Sequence, residues 1–147
     1  MKKLYFTALY IFSVVPVPAY AEPSANDLSQ ACYRQFKVIS DVMECAKRKF
    51  ETSEAQLAQQ EAQEPKMFDA WFEDEYFKAD SRKYTPVSNQ EFEKYKKKYC
   101  DFSIYLMRDT DAATHEIHRL SCLTSQNLHY LALLKVDLAY NQRKLEE

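Results

Sequence analysis

The chain has 147 residues, with 20 Lys+Arg against 22 Asp+Glu, 14% aromatic residues and no glycine. Without glycine it lacks the residue that phosphate-cradling loops and tight hairpin turns require, which excludes a Rossmann or P-loop nucleotide site. The slight acidic excess argues against a nucleic-acid partner.

At the N-terminus, Met1-Lys2-Lys3 precedes an apolar stretch from Leu4 to Val17, broken only by Thr7, Ser13 and Pro16, and then Ala19-Tyr20-Ala21. A basic start, an apolar run too short to span a bilayer and an A-x-A site predict a signal peptide over 1–21, cleaved after Ala21. The first cysteine is Cys32, too far on for a lipoprotein anchor, so the expected product is a single domain over 22–147 with no stable membrane anchor. Loss of Lys2 and Lys3 leaves 18 cationic side chains against 22 acids, a net charge of about −4. Export to the periplasm or medium, with four cysteines in the remaining chain, predicts two disulfides.

Asn26 or Asp27 is a candidate cap for a short first helix from about Leu28. Ser40 or Asp41 offers the next cap, Asp41 and Glu44 having capping-box spacing. Val42, Cys45, Ala46, Phe50, Ser53 and Leu57 then recur at three- and four-residue steps, the signature of one buried helical face. Pro65 is expected to stop this helix. Lys66 to Ala79 reads as a short helix carrying Met67, Phe68, Trp71, Phe72 and Tyr76, and Ser81 to Asn89, with Pro86, as a loop. Ser88 or Asn89 caps a helix with Phe92, Tyr95, Tyr99, Cys100 and Leu106. After a connection over 109–114, with Thr114 as cap, Leu120, Leu123, Leu128, Leu131, Leu134 and Leu138 mark the apolar side of the last helix. The expected fold is all-α: an antiparallel bundle of three main helices with short extra ones, its neighbours joined up and down.

On one unbroken helix, Cys32 and Cys45 would lie about 20 Å apart, too far to bridge. Either the chain bends near Ser40 or these two do not pair. A hairpin of the Cys45 and Cys100 helices would bring those two to similar heights, so the preferred pairs are Cys45–Cys100 and Cys32–Cys122. Closing such long loops removes about 4 kcal/mol of denatured-state entropy each.

The cysteine frame resembles the LprI-like lysozyme-inhibitor family of small exported helical domains. Its matching pieces are Cys32 and Cys45 thirteen apart, Cys45-Ala46 with Phe50 and Leu57, Phe92-x-x-Tyr95-Lys96-x-x-x-Cys100, and Ser121-Cys122-Leu123-Thr124 before a leucine-rich helix. The resemblance spans about Leu28 to Leu134. Phe92 stands at the family's Trp, Lys96 at its Arg and Lys97 at its acid, while Ala58 and Glu61 stand near an Asn and a Tyr; the family's glycine-rich bend is missing. The resemblance implies a non-catalytic inhibitor of lysozyme.

His115 and His118 flank Glu116 but lack the further ligands a zinc site needs, and read as helix-surface residues; no metal or cofactor is expected. His129 reads as a wet or half-buried residue among leucines. A cysteine nucleophile needs a thiol that oxidation removes, and nothing singles out Glu73 and Glu75 as an acid–base pair, so no enzymatic role is expected. Lys94, Lys96, Lys97 and Lys98 read as a solvated face. The most suggestive stretch is Phe68 to Phe77, where Phe68, Trp71 and Tyr76 stand among Glu73, Asp74 and Glu75: apolar anchors ringed by charge, as in interface hot spots. The expected role is binding of a protein partner, a lysozyme or another cell-wall hydrolase. The alternatives are a toxin neutralised by an immunity protein, or an envelope assembly complex.

Overall fold

The structure is a computed structural model describing residues 22–71, 73–107 and 111–143. The expected signal peptide and Phe72 lie outside the described residues. Among the described residues the chain forms five helices and no strand: α1 (Ala25–Gln35), α2 (Ile39–Glu61), α3 (Glu64–Ala70), α4 (Glu75–Tyr105) and α5 (Ala112–Arg143). The three long helices are α2, α4 and α5, as the apolar spacing predicts.

Ser24, not Asn26 or Asp27, caps α1: its hydroxyl accepts from the Asp27 amide, and the Asp27 carboxylate accepts from the Ser24 amide at 3.1 Å. Asp27 is thus the third-position partner of a capping box rather than the cap. The chain then passes through extended backbone at Phe36 (φ −123°, ψ 146°) and Val38 (φ −94°, ψ 130°), and α2 starts at Ile39 without a side-chain cap, ahead of the expected Ser40 or Asp41. At the start of α5, the Asp111 carboxylate accepts the Thr114 amide at 2.9 Å, so the acid three residues before Thr114 does the capping.

Pro65 and Pro86 both sit in helices, where the sequence reading did not put them. Helix α2 already ends at Glu61, and Pro65 lies in the first turn of α3, where its missing N–H has no helical partner to lose. Pro86 lies inside α4, so the expected loop over 81–89 is helix. Its exposed ring removes one backbone bond, while the turns on either side keep theirs and pack against α3 and α5.

Helix α5 is the spine and packs against α1, α2 and α4. Val42, Cys45 and Ala46 meet Ile117 and Leu120, and Leu57 meets Leu131 and Leu134, so α2 and α5 run parallel. Cys100 joins Cys122 and Phe92 stacks on Tyr130 at 4.0 Å, so α4 runs antiparallel to α5. At the other end of the chain, Ser125 donates to the Pro23 carbonyl at 2.9 Å and fixes the start of α1 against α5.

The disulfides are Cys32–Cys45 and Cys100–Cys122, with Cα separations of 5.8 and 5.6 Å, which corrects the expected pairs Cys45–Cys100 and Cys32–Cys122. Two facts explain the difference. The break at 36–38 reverses the chain, so the thirteen residues do not lie on one rod. The α2–α4 register then sets Glu54 beside Lys96, which brings Phe50 level with Cys100 and leaves Cys45 about 7.5 Å further along the axis. Each bridge therefore staples one hairpin, α1–α2 or α4–α5. Two closed disulfides belong to a non-reducing compartment. Among the described residues, no helix is long and apolar enough to cross a membrane.

Candidate functional site

Two regions concentrate chemistry: a polar seam buried between α2, α4 and α5, and an aromatic end where α3 meets the first half of α4. The seam centres on Lys96, whose side chain is 1% exposed. Its Nζ donates to Glu54 Oε1 at 2.5 Å and to Asn127 Oδ1 at 2.7 Å, and also pairs with Glu93. Asn127, fully buried, turns its amide nitrogen to Ser53 Oγ at 3.0 Å and Glu54 Oε1 at 2.9 Å. Burial opposes the ionisation of Glu54, but the hydrogen bonds from Lys96 and Asn127 outweigh it and hold the carboxyl below its usual range. Lys96 is thus no part of a solvated lysine face. Its signal lay in phase, because it falls four residues after Phe92 and four before Cys100, on the buried side of α4.

Further along the seam, Asn89 donates to Glu64 Oε2 at 3.0 Å and accepts the Tyr130 hydroxyl proton at 2.8 Å. Glu64 is 5% exposed and Glu61 half-buried. Burial raises both carboxyls, Glu61 further through repulsion from Glu64 and Glu93. These contacts tie the helices together around Lys96, while Glu61 Oε1 is buried without a hydrogen-bond partner among the described residues.

The histidines lie elsewhere. His115 and His118 are half-buried in the first turns of α5; burial and the neighbouring His115 lower the His118 pKa, and Arg119 forks Glu116 at 2.8 Å through two nitrogens. No group of three His, Cys, Asp or Glu that could hold a metal occurs among the described residues. His129 is exposed.

At the aromatic end, the run singled out in the sequence is divided by its helices. Phe68 is buried, 8% exposed, under α3, and its ring lies 6.4 Å from Trp71, which is half-buried at the C-terminal cap of α3. Glu73 is half-buried, while Asp74, Glu75 and Tyr76 are exposed, Tyr76 by 70%. Tyr76 packs edge-on against Phe77 at 5.4 Å. The charge is not uniformly negative, because Lys78 reaches Glu75 at 3.2 Å and Arg82 bridges Asp69 at 2.7 Å and Glu75 at 3.7 Å.

Helix α4 includes Ser81, Tyr84, Thr85 and Ser88, which the sequence reading had placed in a loop. Phe77, Asp80, Ser81, Tyr84 and Thr85 recur at helical intervals and, with Trp71, line an open cleft of about 400 Å³. The clue available in the sequence was the helical spacing of Phe77, Ser81 and Tyr84 ahead of Pro86, and Ser88 carries the same lining past it. Comparison with protein-family models, with curated proteins and with solved structures finds no match for this chain.

Proposed function

We propose that this protein is an exported, non-catalytic binding protein whose partner is a cationic cell-wall hydrolase of the lysozyme type, engaged through the end formed by α3 and the first half of α4. The observation that carries the reading is the set of aromatic side chains standing in solvent there: Tyr76, Phe77 and Tyr84 are 70%, 52% and 58% exposed beside half-buried Trp71. Burying such groups is unfavourable to forgo, and a contiguous exposed cluster rimmed by charge is the usual mark of a protein interface. The resemblance of the cysteine frame to LprI-like inhibitors supports the choice of partner. So does the expected net charge of about −4, which would speed encounter with a cationic enzyme by electrostatic steering.

The test is lysis of bacterial cell walls by lysozymes of several types in the presence of the protein, secreted to a periplasm so that both disulfides close. Inhibition at micromolar concentration or below is expected for at least one type, with Tyr76→Ala/Phe77→Ala weakening it tenfold or more. Full lysis by every type, together with capture of a bacterial effector toxin by the same surface, would replace the hydrolase with a toxin.

A further inference from the structure

From the cleft between Trp71 and the Phe77, Asp80 and Tyr84 face of α4, we infer that the protein takes an arginine side chain of its partner, held by aromatic faces and one carboxylate. This deepens the proposed function and rests on its reading of a cationic protein partner.

The cleft is built rather than incidental. Phe77, Asp80, Ser81, Tyr84 and Thr85 stand at i, i+3, i+4, i+7 and i+8 of one helix, a single face, and Trp71 is brought opposite by the end of α3. Contact between Trp71 and Phe68 holds the indole, since Phe68 is itself buried. The opening, about 400 Å³, suits one long side chain.

Charge decides the ligand. Ring faces carry negative electrostatic potential and attract cations. Lys83 Nζ already stands 5.0 Å from the centre of the Tyr84 ring, so that ring holds a cation within this chain. Asp80 lines the cleft and makes no ion pair among the described residues, whereas its neighbours Asp69 and Glu75 are taken by Arg82 and Lys78. A guanidinium fits better than an ammonium, because it is planar, stacks on aromatic rings and offers a carboxylate two parallel N–H donors. The hydroxyl oxygens of Ser81 and Thr85 can accept hydrogen bonds from its remaining N–H groups.

Trp71 is the only tryptophan of the chain, so its fluorescence reports the cleft directly. The probe is an acetylated hexa-arginine peptide, compared with hexa-citrulline, which keeps the shape and loses the charge, and with chitohexaose. A saturable change in Trp71 emission is expected with hexa-arginine alone. Asp80→Asn should weaken that binding tenfold or more, and Tyr84→Leu about fivefold. Glu44→Gln, which removes the same charge from exposed α2, should leave it within twofold.

Equal responses to citrulline, equal losses in Asp80→Asn and Glu44→Gln, or a response to chitohexaose alone would each overturn the inference, the last making the cleft a saccharide site. Binding of hexa-arginine by a protein that inhibits no lysozyme would keep the cleft and remove the hydrolase. Lysozyme inhibition undiminished by Asp80→Asn would do the reverse.

Discussion

Lys96 shows how much one position can mean. A lysine side chain buried to 1% exposure is matched by Glu54, Glu93 and Asn127, and its Nζ stands over the Phe92 ring, 5.6 Å from the ring centre. Removing the ammonium while leaving its partners should cost heavily: Lys96→Ala is expected to destabilise the protein by about 3–5 kcal/mol in urea unfolding. Lys96→Met, which keeps the stem, should cost clearly less. Glu64 sits in the opposite situation, a buried carboxyl with an amide for a partner and no cation. Its folded pKa is raised, so the native state binds its proton more tightly than the unfolded chain does. That contribution is fully present below the unfolded pKa and is lost as pH rises through the folded one. Glu64→Gln keeps an acceptor for Asn89 and removes the titration. The variant should therefore lose less stability than the parent between pH 4 and pH 7, as measured by thermal unfolding across that range.

Among the elements, α4 departs furthest from local expectation. A proline eleven residues into a helix removes a hydrogen bond to the carbonyl four residues earlier and crowds it, a penalty of about 3 kcal/mol in an exposed helix interior. The helix continues because both halves are held from outside: the first by Arg82 on Asp69, the second by Asn89 and Phe92 on Tyr130 and by the disulfide to α5. Pro86→Ala should accordingly raise stability by about 1–3 kcal/mol, read from the urea midpoint at unchanged slope. No gain would mean that the proline's fixed backbone angle is itself needed to set the α3 contact. Phe77, Asp80 and Tyr84 share one side because the turns ahead of Pro86 are helical, and continuity through the proline adds only Ser88 to the same cleft.

For the whole molecule, the disulfides staple neighbours instead of tying distant elements together. Sequence separations of 13 and 22 close short loops, worth about 3 kcal/mol each by chain entropy, against about 4 for the longer loops of the alternative pairing. The spine α5 touches three helices, and the polar seam locks α2 to α4 without a covalent link. Removing one bridge should thus loosen one hairpin locally. Cys32→Ser/Cys45→Ser is expected to lose about 3 kcal/mol and to speed amide exchange in α1 more than in α4 and α5, by hydrogen-exchange measurement.

The sequence by itself determined the all-α class, the three long helices and the presence of two disulfides, because helical periodicity and cysteine count are local or compositional properties. Phe50, Leu57, Leu120 and Leu131 could be placed on buried faces from spacing alone. What only the tertiary structure decided was register and direction. A three-residue break at 36–38 reverses α1, and a match between Glu54 and Lys96 sets the height of α4. Together they choose which cysteines meet, draw a lysine into the interior and carry a helix through a proline. The phase of Lys96 between Phe92 and Cys100 hinted at its burial, but the cysteine pairing and the partners of the seam follow from no single segment, since they depend on contacts between residues 13 to 74 positions apart.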